Sequence, residues 1–225
     1  MRKLVVGVSD GFDNSYKALL SKLGDITIVS FADLRKNPID NSIDLLLFTG
    51  GADVNPAYYQ ENKGAHTFVD KKRDELEAII FEKYYRVPKL GICRGSQFLT
   101  ALSGGKLIQH VVNHTSSHLA TVKLNANDNN HYRINVTSTH HQMLYPFNLN
   151  KKRYVLIGWS TKFLSDVYLD GDNNQKELVS DFLEPEIVYY PDTKSLAIQG
   201  HPEFDSASAE FKDVTIRLIK KYLLN

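Results

Sequence analysis

The pentapeptide Gly91-Ile92-Cys93-Arg94-Gly95 restricts the fold of this chain more than any other stretch. The residues before it, Lys89–Ile92, read as a short strand; those after it, Arg94–Leu102, read as a helix that Gly104-Gly105 terminates. A strand turning into a helix within one residue crowds the backbone on both sides of the corner, which is why glycine is needed at each flank. Such a corner belongs to a sheet whose strands feed helices, and not to an all-β sandwich or a helical bundle.

The surrounding pattern agrees. Leu4–Val8, 26–29 and 43–48 are short apolar runs suited to strands, the last nearly unbroken as in a strand buried on both faces. Between the first two runs, Tyr16, Leu19, Leu20 and Leu23 fall at helical spacing before Gly24. A longer helix is predicted over 70–86, capped by Asp70 and stopped by Pro88, with Leu76, Ile79, Ile80 and Tyr84 as its apolar stripe and Lys71, Lys72 and Arg73 facing water. The second half is richer in β-type runs, at 119–124, Tyr132–Val136, 154–159, 186–190 and 195–199. The Asn, Asp and Ala residues of 125–130 read as a surface turn, and 207–224 as a closing helix packed through Phe211, Val214, Ile216, Leu218 and Ile219. With no repeat or linker in its 225 residues, the chain is expected to be one α/β domain over 1–225, with a mostly parallel central sheet flanked by helices and a smaller antiparallel portion.

Composition narrows the partners. With 27 basic against 26 acidic residues, no field favours nucleic acid or an anionic membrane. The N-terminal apolar run is too short for a signal peptide, and no stretch approaches the roughly 20 apolar residues of a span, so a cytoplasmic protein is expected. The single cysteine, Cys93, has no internal disulfide partner.

An isolated cysteine is more often inert core than nucleophile, but the glycine-flanked corner reverses that reading. At the start of a helix the unpaired N–H groups and the dipole favour negative charge on the sulfur, and the same groups can bind an oxyanion. A nucleophilic thiol needs a base and a group to orient that base. Gln199-Gly200-His201-Pro202-Glu203, directly after a predicted strand, supplies both types in His201 and Glu203.

Together with Thr49-Gly50-Gly51-Ala52-Asp53-Val54-Asn55-Pro56 and Ser138-Thr139-His140-His141-Gln142, these segments resemble the class I glutamine amidotransferase superfamily. Within it they are most similar to the free-standing γ-glutamyl hydrolases of the peptidase C26 type, including the γ-glutamyl-γ-aminobutyrate hydrolases. The resemblance implies a flavodoxin-like fold, with Cys93 as nucleophile, His201 as base and Glu203 as its partner. It implies an oxyanion hole from backbone N–H groups of Arg94 and of Gly50 or Gly51. Gln97 and the loop of Ser138, Thr139 and His140 would hold the glutamyl end of a small-molecule substrate, with no cofactor and no metal. The chain departs from the family at Gly200, where a large aromatic is usual, and at Phe204 after Glu203.

The implied activity is hydrolysis of a γ-glutamyl amide through a glutamyl thioester, the leaving group being an amine, a peptide or a nucleotide phosphoramidate. The alternative is a glutaminase subunit that feeds ammonia to a separate ATP-dependent synthetase; a non-catalytic binding or thiol-sensor protein is a third reading. No synthetase-like segment accompanies the four motifs, which favours action alone. His110, His114 and His118 have the i, i+4, i+8 spacing of a metal stripe, but only on a helix, and their neighbours are poor helix formers, so loop or pocket roles are expected. The 170–174 run lacks the register of a calcium loop and reads as a loop tip. Asp53, Arg73 and Asp74 also match the hydrolase branch, although a salt bridge or a helix cap accounts for them equally well.

Overall fold

A computed structural model describes residues 3–124 and 131–225; the turn expected at 125–130 lies outside the described residues. In chain order the elements are β1 (Leu4–Val8), α1 (Asn14–Leu20), β2 (Ile26–Ser30), α2 (Phe31–Lys36), β3 (Leu45–Phe48), α3 (Lys71–Lys83), β4 (Lys89–Ile92), α4 (Arg94–Leu102) and β5 (Lys106–Ile108). There follow β6 (His110–Val111), β7 (His118–Val122), β8 (Tyr132–Val136), β9 (Met143–Tyr145), β10 (Val155–Ser160), β11 (Tyr168–Leu169), β12 (Pro185–Tyr190), β13 (Ser195–Ile198) and α5 (Ala209–Leu223).

Nine of these strands form one sheet in the order β2-β1-β3-β4-β13-β12-β10-β7-β8. The first five are mutually parallel, and every pairing from β13 outward to β8 is antiparallel. The antiparallel portion expected from the sequence continues the parallel sheet edge to edge and contributes as many pairings, so the central sheet is mixed rather than mostly parallel. Two small two-stranded sheets, β5 with β9 and β6 with β11, lie beside it. The architecture is the α/β fold expected, with a mixed sheet flanked by helices.

The strand β3 shows why its sequence has no polar alternation. Leu45 and Leu47 join the core under α1 and α5, whereas Leu46 and Phe48 join the opposite core under α2, α3 and α4; all four are fully buried. Removing each such side chain from water is worth about 1.5–3 kcal/mol. On α5 the expected packing positions Phe211, Val214, Ile216, Leu218 and Ile219 are all buried.

Helix α3 departs from its predicted stripe. Asp70 does cap it, accepting from the N–H of Arg73, but Ile79 is 40% exposed while Asp74 and Glu77 are fully buried beside Ile80 and Phe81. Arg73 does not face water: its side chain is only 10% exposed and points inward. The reason is a buried partner, Arg94, whose guanidinium bonds both Asp74 and Glu77. A helix can turn charged residues inward when an opposite charge waits there. The short helix α2, capped by Ser30, carries no long apolar period and was not foreseen. Among the described residues no helix is long and apolar enough to cross a membrane.

Candidate active site

Parallel pairing of β4 with β13 sets Ile92 opposite Ile198, and the Cys93 N–H donates to the Ile198 carbonyl at 2.8 Å. Cys93 and His201 thus leave neighbouring strands at their carboxyl ends, where ligand crevices form in open α/β sheets. Cys93 adopts φ 51° and ψ −113°, a left-handed backbone that costs a non-glycine residue roughly 1–3 kcal/mol. The flanking glycines are required by space. A Cβ on Gly95 would lie 2.0 Å from the Phe48 carbonyl oxygen, and one on Gly91 2.5 Å from that of Gly95.

His201 is buried, and its Nδ1 lies 2.7 Å from Glu203 Oε1, while Nε2 has no hydrogen-bond partner and its ring shares a cleft with Cys93. Burial alone would drive the imidazole neutral, but Cys93 and Glu203 together outweigh it and raise its pKa to about 10. At neutral pH the site therefore holds a protonated imidazole against the sulfur. The ring of Phe204 stacks on His201 at 4.2 Å, nearly parallel. Gly200 has no space for a side chain, since a Cβ would meet the Thr137 carbonyl oxygen at 2.8 Å and the Phe211 ring at 3.1 Å. The aromatic usual before the histidine is thus replaced by one following the glutamate.

The cleft has a volume of about 330 Å³, at the small end of the roughly 300–1,000 Å³ of small-molecule sites. Cys93, Arg94, Gln97, Gly51, Thr139, His140 and His201 all line it, together with Asp53, Phe68, His141 and Gln142. Ser138 is not on this wall: it is buried, and its hydroxyl donates to the His114 carbonyl. Gln97 donates from Nε2 to the Gln142 carbonyl at 2.9 Å, which ties α4 to the loop that holds His140.

The two glycines after β3 are distinguished by their partners. The Gly50 N–H donates to the hydroxyl of Tyr16 at 3.0 Å and is therefore occupied. Arg73 donates to the carbonyls of Thr49 at 2.9 Å and Gly50 at 2.8 Å. In a trans peptide the N–H points opposite to the C=O, so the hold of Arg73 on Gly50 turns the Gly51 N–H away from the guanidinium. Gly51 has φ 145°, and a Cβ there would lie 2.2 Å from Arg73 Nη1. Arg73, set aside in the sequence as a residue that a salt bridge or helix cap would explain, and Tyr16, expected only as a packing position, both hold the glycine loop. A buried tyrosine hydroxyl almost always has a partner, which was the one signal available for Tyr16.

Asp74 is in the salt bridge with Arg94, while Asp53 accepts from the Phe68 N–H at 2.8 Å and faces His141 Nε2 at 3.2 Å. The 110–118 segment is not helical, so the metal stripe does not form: His110 stacks on His66 at 4.1 Å, whereas His114 and His118 turn inward. The 170–174 run is a turn in which Asp170 Oδ1 accepts from the N–H groups of Asp172 and Asn174.

Comparison with known proteins agrees with this geometry. The sequence model of the peptidase C26 family matches residues 14–154. A Schizosaccharomyces pombe protein carrying a provisional glutamine amidotransferase name is 37% identical over 114 residues, which are 48% of this chain and 45% of that protein. The chain thus matches less than half of that relative's length. A glutamine amidotransferase-like protein, also provisionally named, from Lactococcus lactis subsp. cremoris is 30% identical over 151 residues, 58% of this chain and 80% of its own. In fold, the chain superimposes on a glutamine amidotransferase from Thermotoga maritima with a TM-score of 0.62, at 13% identity and full coverage of both chains. The chain belongs to the peptidase C26 family, within the class I glutamine amidotransferase-like superfamily.

Proposed function

We propose that this protein is a cysteine-dependent hydrolase of γ-glutamyl amides, acting without a synthetase partner. The observation that carries the reading is the strained Cys93 corner sharing a cleft with His201, whose far nitrogen is held by Glu203 at 2.7 Å. Cys93 attacks the γ-carbonyl, and the carbonyl oxygen takes up negative charge facing the backbone N–H groups of Arg94 and Gly51. Each such donor is worth roughly 10²- to 10³-fold in rate. Gly50 contributes through its carbonyl, which Arg73 grips, because its own N–H is engaged by Tyr16.

His201 then passes its proton to the leaving nitrogen, and the amine departs to leave a glutamyl thioester. Water, deprotonated by the now neutral His201, attacks the thioester and releases glutamate, while Glu203 holds the imidazole in one orientation throughout. Gln97 and the Thr139 and His140 segment shape the glutamyl end, with Ser138 acting from behind through backbone placement. Phe68, 70% exposed at the cleft, and His141 beside Asp53 lie where the leaving group would emerge.

The test is glutamate release by the protein alone, offered glutamine beside γ-glutamyl amines, peptides and nucleotide conjugates. The expected result is turnover of one conjugate well above glutamine, lost in Cys93→Ala. No turnover of any of them, with Cys93 still alkylated by a glutamine-like electrophile, would instead favour a glutaminase subunit awaiting its synthetase.

A further inference from the structure

A second group of titratable side chains reaches from the cleft wall, at His140, into the interior behind it, and none of them exchanges a proton in the hydrolysis. His114, His140 and Glu186 come from the segment before β7, the loop before β9 and the strand β12, and each is at most 3% exposed. One ligand atom from each lies within 4.8 Å of the other two. The polar atoms are unusual in what they lack. His140 Nδ1 is paired with the Gln142 carbonyl oxygen at 2.9 Å, so it carries the proton, and Nε2 is left as a bare lone pair. Glu186 Oε1 faces His118 Nε2 at 2.7 Å, and Oε2 has no partner. His114 lies 3.2 Å from Glu184 Oε1 through Nε2 and 3.9 Å from Glu186 Oε1 through Nδ1, but neither nitrogen makes a directed hydrogen bond.

A neutral imidazole carries one proton, so His114 adds at least one more bare lone pair. Unpaired polar atoms on three buried side chains therefore converge, and the single N–H of a neutral His114 cannot satisfy them all. The outer partners are those of a metal site as well: a carbonyl on the far nitrogen of one histidine, a carboxylate beside the other, and an imidazole on the free oxygen of the glutamate.

We propose that His114, His140 and Glu186 bind a divalent transition-metal ion, zinc in character, as a structural staple behind the active site. Two imidazoles and one carboxylate suit Zn²⁺. A water taken up with the ion completes its four-coordinate shell, as in zinc sites with three protein ligands. Tetrahedral bonds of about 2.0–2.1 Å place ligand atoms roughly 3.4 Å apart, so the three side chains close by about an ångström on loading. The ion joins the 138–142 loop to the antiparallel half of the sheet and fixes the wall against which the glutamyl group rests.

The test uses the full chain as Cys93→Ala, which removes the active-site thiol as a competing ligand, stripped with a chelator and titrated with Co²⁺ and then Zn²⁺. The expected result is one equivalent of Co²⁺ with the absorption of a four-coordinate site lacking sulfur, displaced by Zn²⁺, and a melting temperature raised by several degrees. Adding Glu186→Gln, which keeps shape and removes charge, should weaken binding by roughly 100-fold or more, beyond the loss usual for outer-shell changes. Adding His110→Ala, in the separate group of rings with His66 and His141, should leave binding intact, and this comparison holds even where Glu186→Gln folds poorly. No stoichiometric uptake by the Cys93→Ala chain would overturn the proposal, because protons or water would then satisfy the cluster. Uptake lost in His110→Ala would overturn it too, by placing the ion in that other histidine group.

Discussion

Two buried polar clusters flank the Cys93 corner, and they solve the same problem differently. On the parallel side, Asp74 and Glu77 of α3 meet the guanidinium groups of Arg94 and Arg73, which fill their oxygens with fork-shaped donors. On the antiparallel side no guanidinium is present: Glu184 is filled by two backbone N–H groups and a tyrosine hydroxyl, Glu186 meets His118, and Glu186, His114 and His140 keep polar atoms without a partner. The difference teaches where new chemistry fits. A cluster with its own donors acts as scaffold, orienting the Thr49 to Gly51 backbone through Arg73. One short of donors is open to an added cation. Even the scaffold is not free of cost: burial pushes the Asp74 carboxyl up despite Arg94 beside it.

The largest expected effect comes from breaking the scaffold. Arg94→Ala strands two buried carboxylates and should lower unfolding free energy by about 3–5 kcal/mol in urea titration. Replacing Arg94, Asp74 and Glu77 together by apolar residues should recover much of that loss, and failure to recover would show that the cluster stabilises through charge itself. On the antiparallel side, Glu184 accepts from the N–H groups of Leu164 and Ser165 and from the Tyr168 hydroxyl. Glu184→Ala should therefore cost about 3 kcal/mol through the donors it strands, whether or not metal is supplied.

A smaller effect is expected at Tyr16→Phe, which removes the acceptor of the Gly50 N–H. The loss should be about 1–2 kcal/mol in stability, with a fall in kcat rather than a rise in KM if the glycine loop shapes the oxyanion hole. Asp70→Ala removes the cap of α3, the helix that carries one half of the scaffold, and should cost about 1 kcal/mol. Smallest of all, Lys151→Ala, which breaks a pair whose side chains are 78% and 57% exposed, should leave the denaturation midpoint unmoved, because solvent screens it.

The imidazole of His201 gives a pH-dependent check. Its folded pKa, about 10, lies above the ordinary 6.5, so the folded state retains the proton that the unfolded chain loses. Stability from this interaction is complete below about 6.5 and is lost as pH rises through about 10. In Cys93→Ala the sulfur's share disappears, and the titration of His201 followed by NMR should move down. An unchanged midpoint would separate the two side chains.

The parts of the molecule written in neighbouring residues could be read from sequence. The glycines around Cys93, the unbroken β3 run and the His201-Pro202-Glu203 tripeptide each carry their meaning within a few positions. The inward turn of Arg73 could not be read that way, because a charged residue in the first turn of a helix looks solvated until its distant partners Thr49 and Gly50 are known. The same holds for His114, His140 and Glu186, whose convergence depends on how the antiparallel strands register. His110 and His114 show the limit clearly: members of one evenly spaced series, yet one stacks on His66 and the other is fully buried.

The central claim is that Cys93 carries the glutamyl group during turnover. Intact-protein mass spectrometry after rapid acid quench, using a γ-glutamyl conjugate that the protein hydrolyses, tests it most directly. The expected result is an added mass equal to one glutamyl acyl group, mapped to the peptide containing Cys93 and absent in Cys93→Ala. Steady turnover in Cys93→Ala, with no acyl adduct on the native chain, would contradict it.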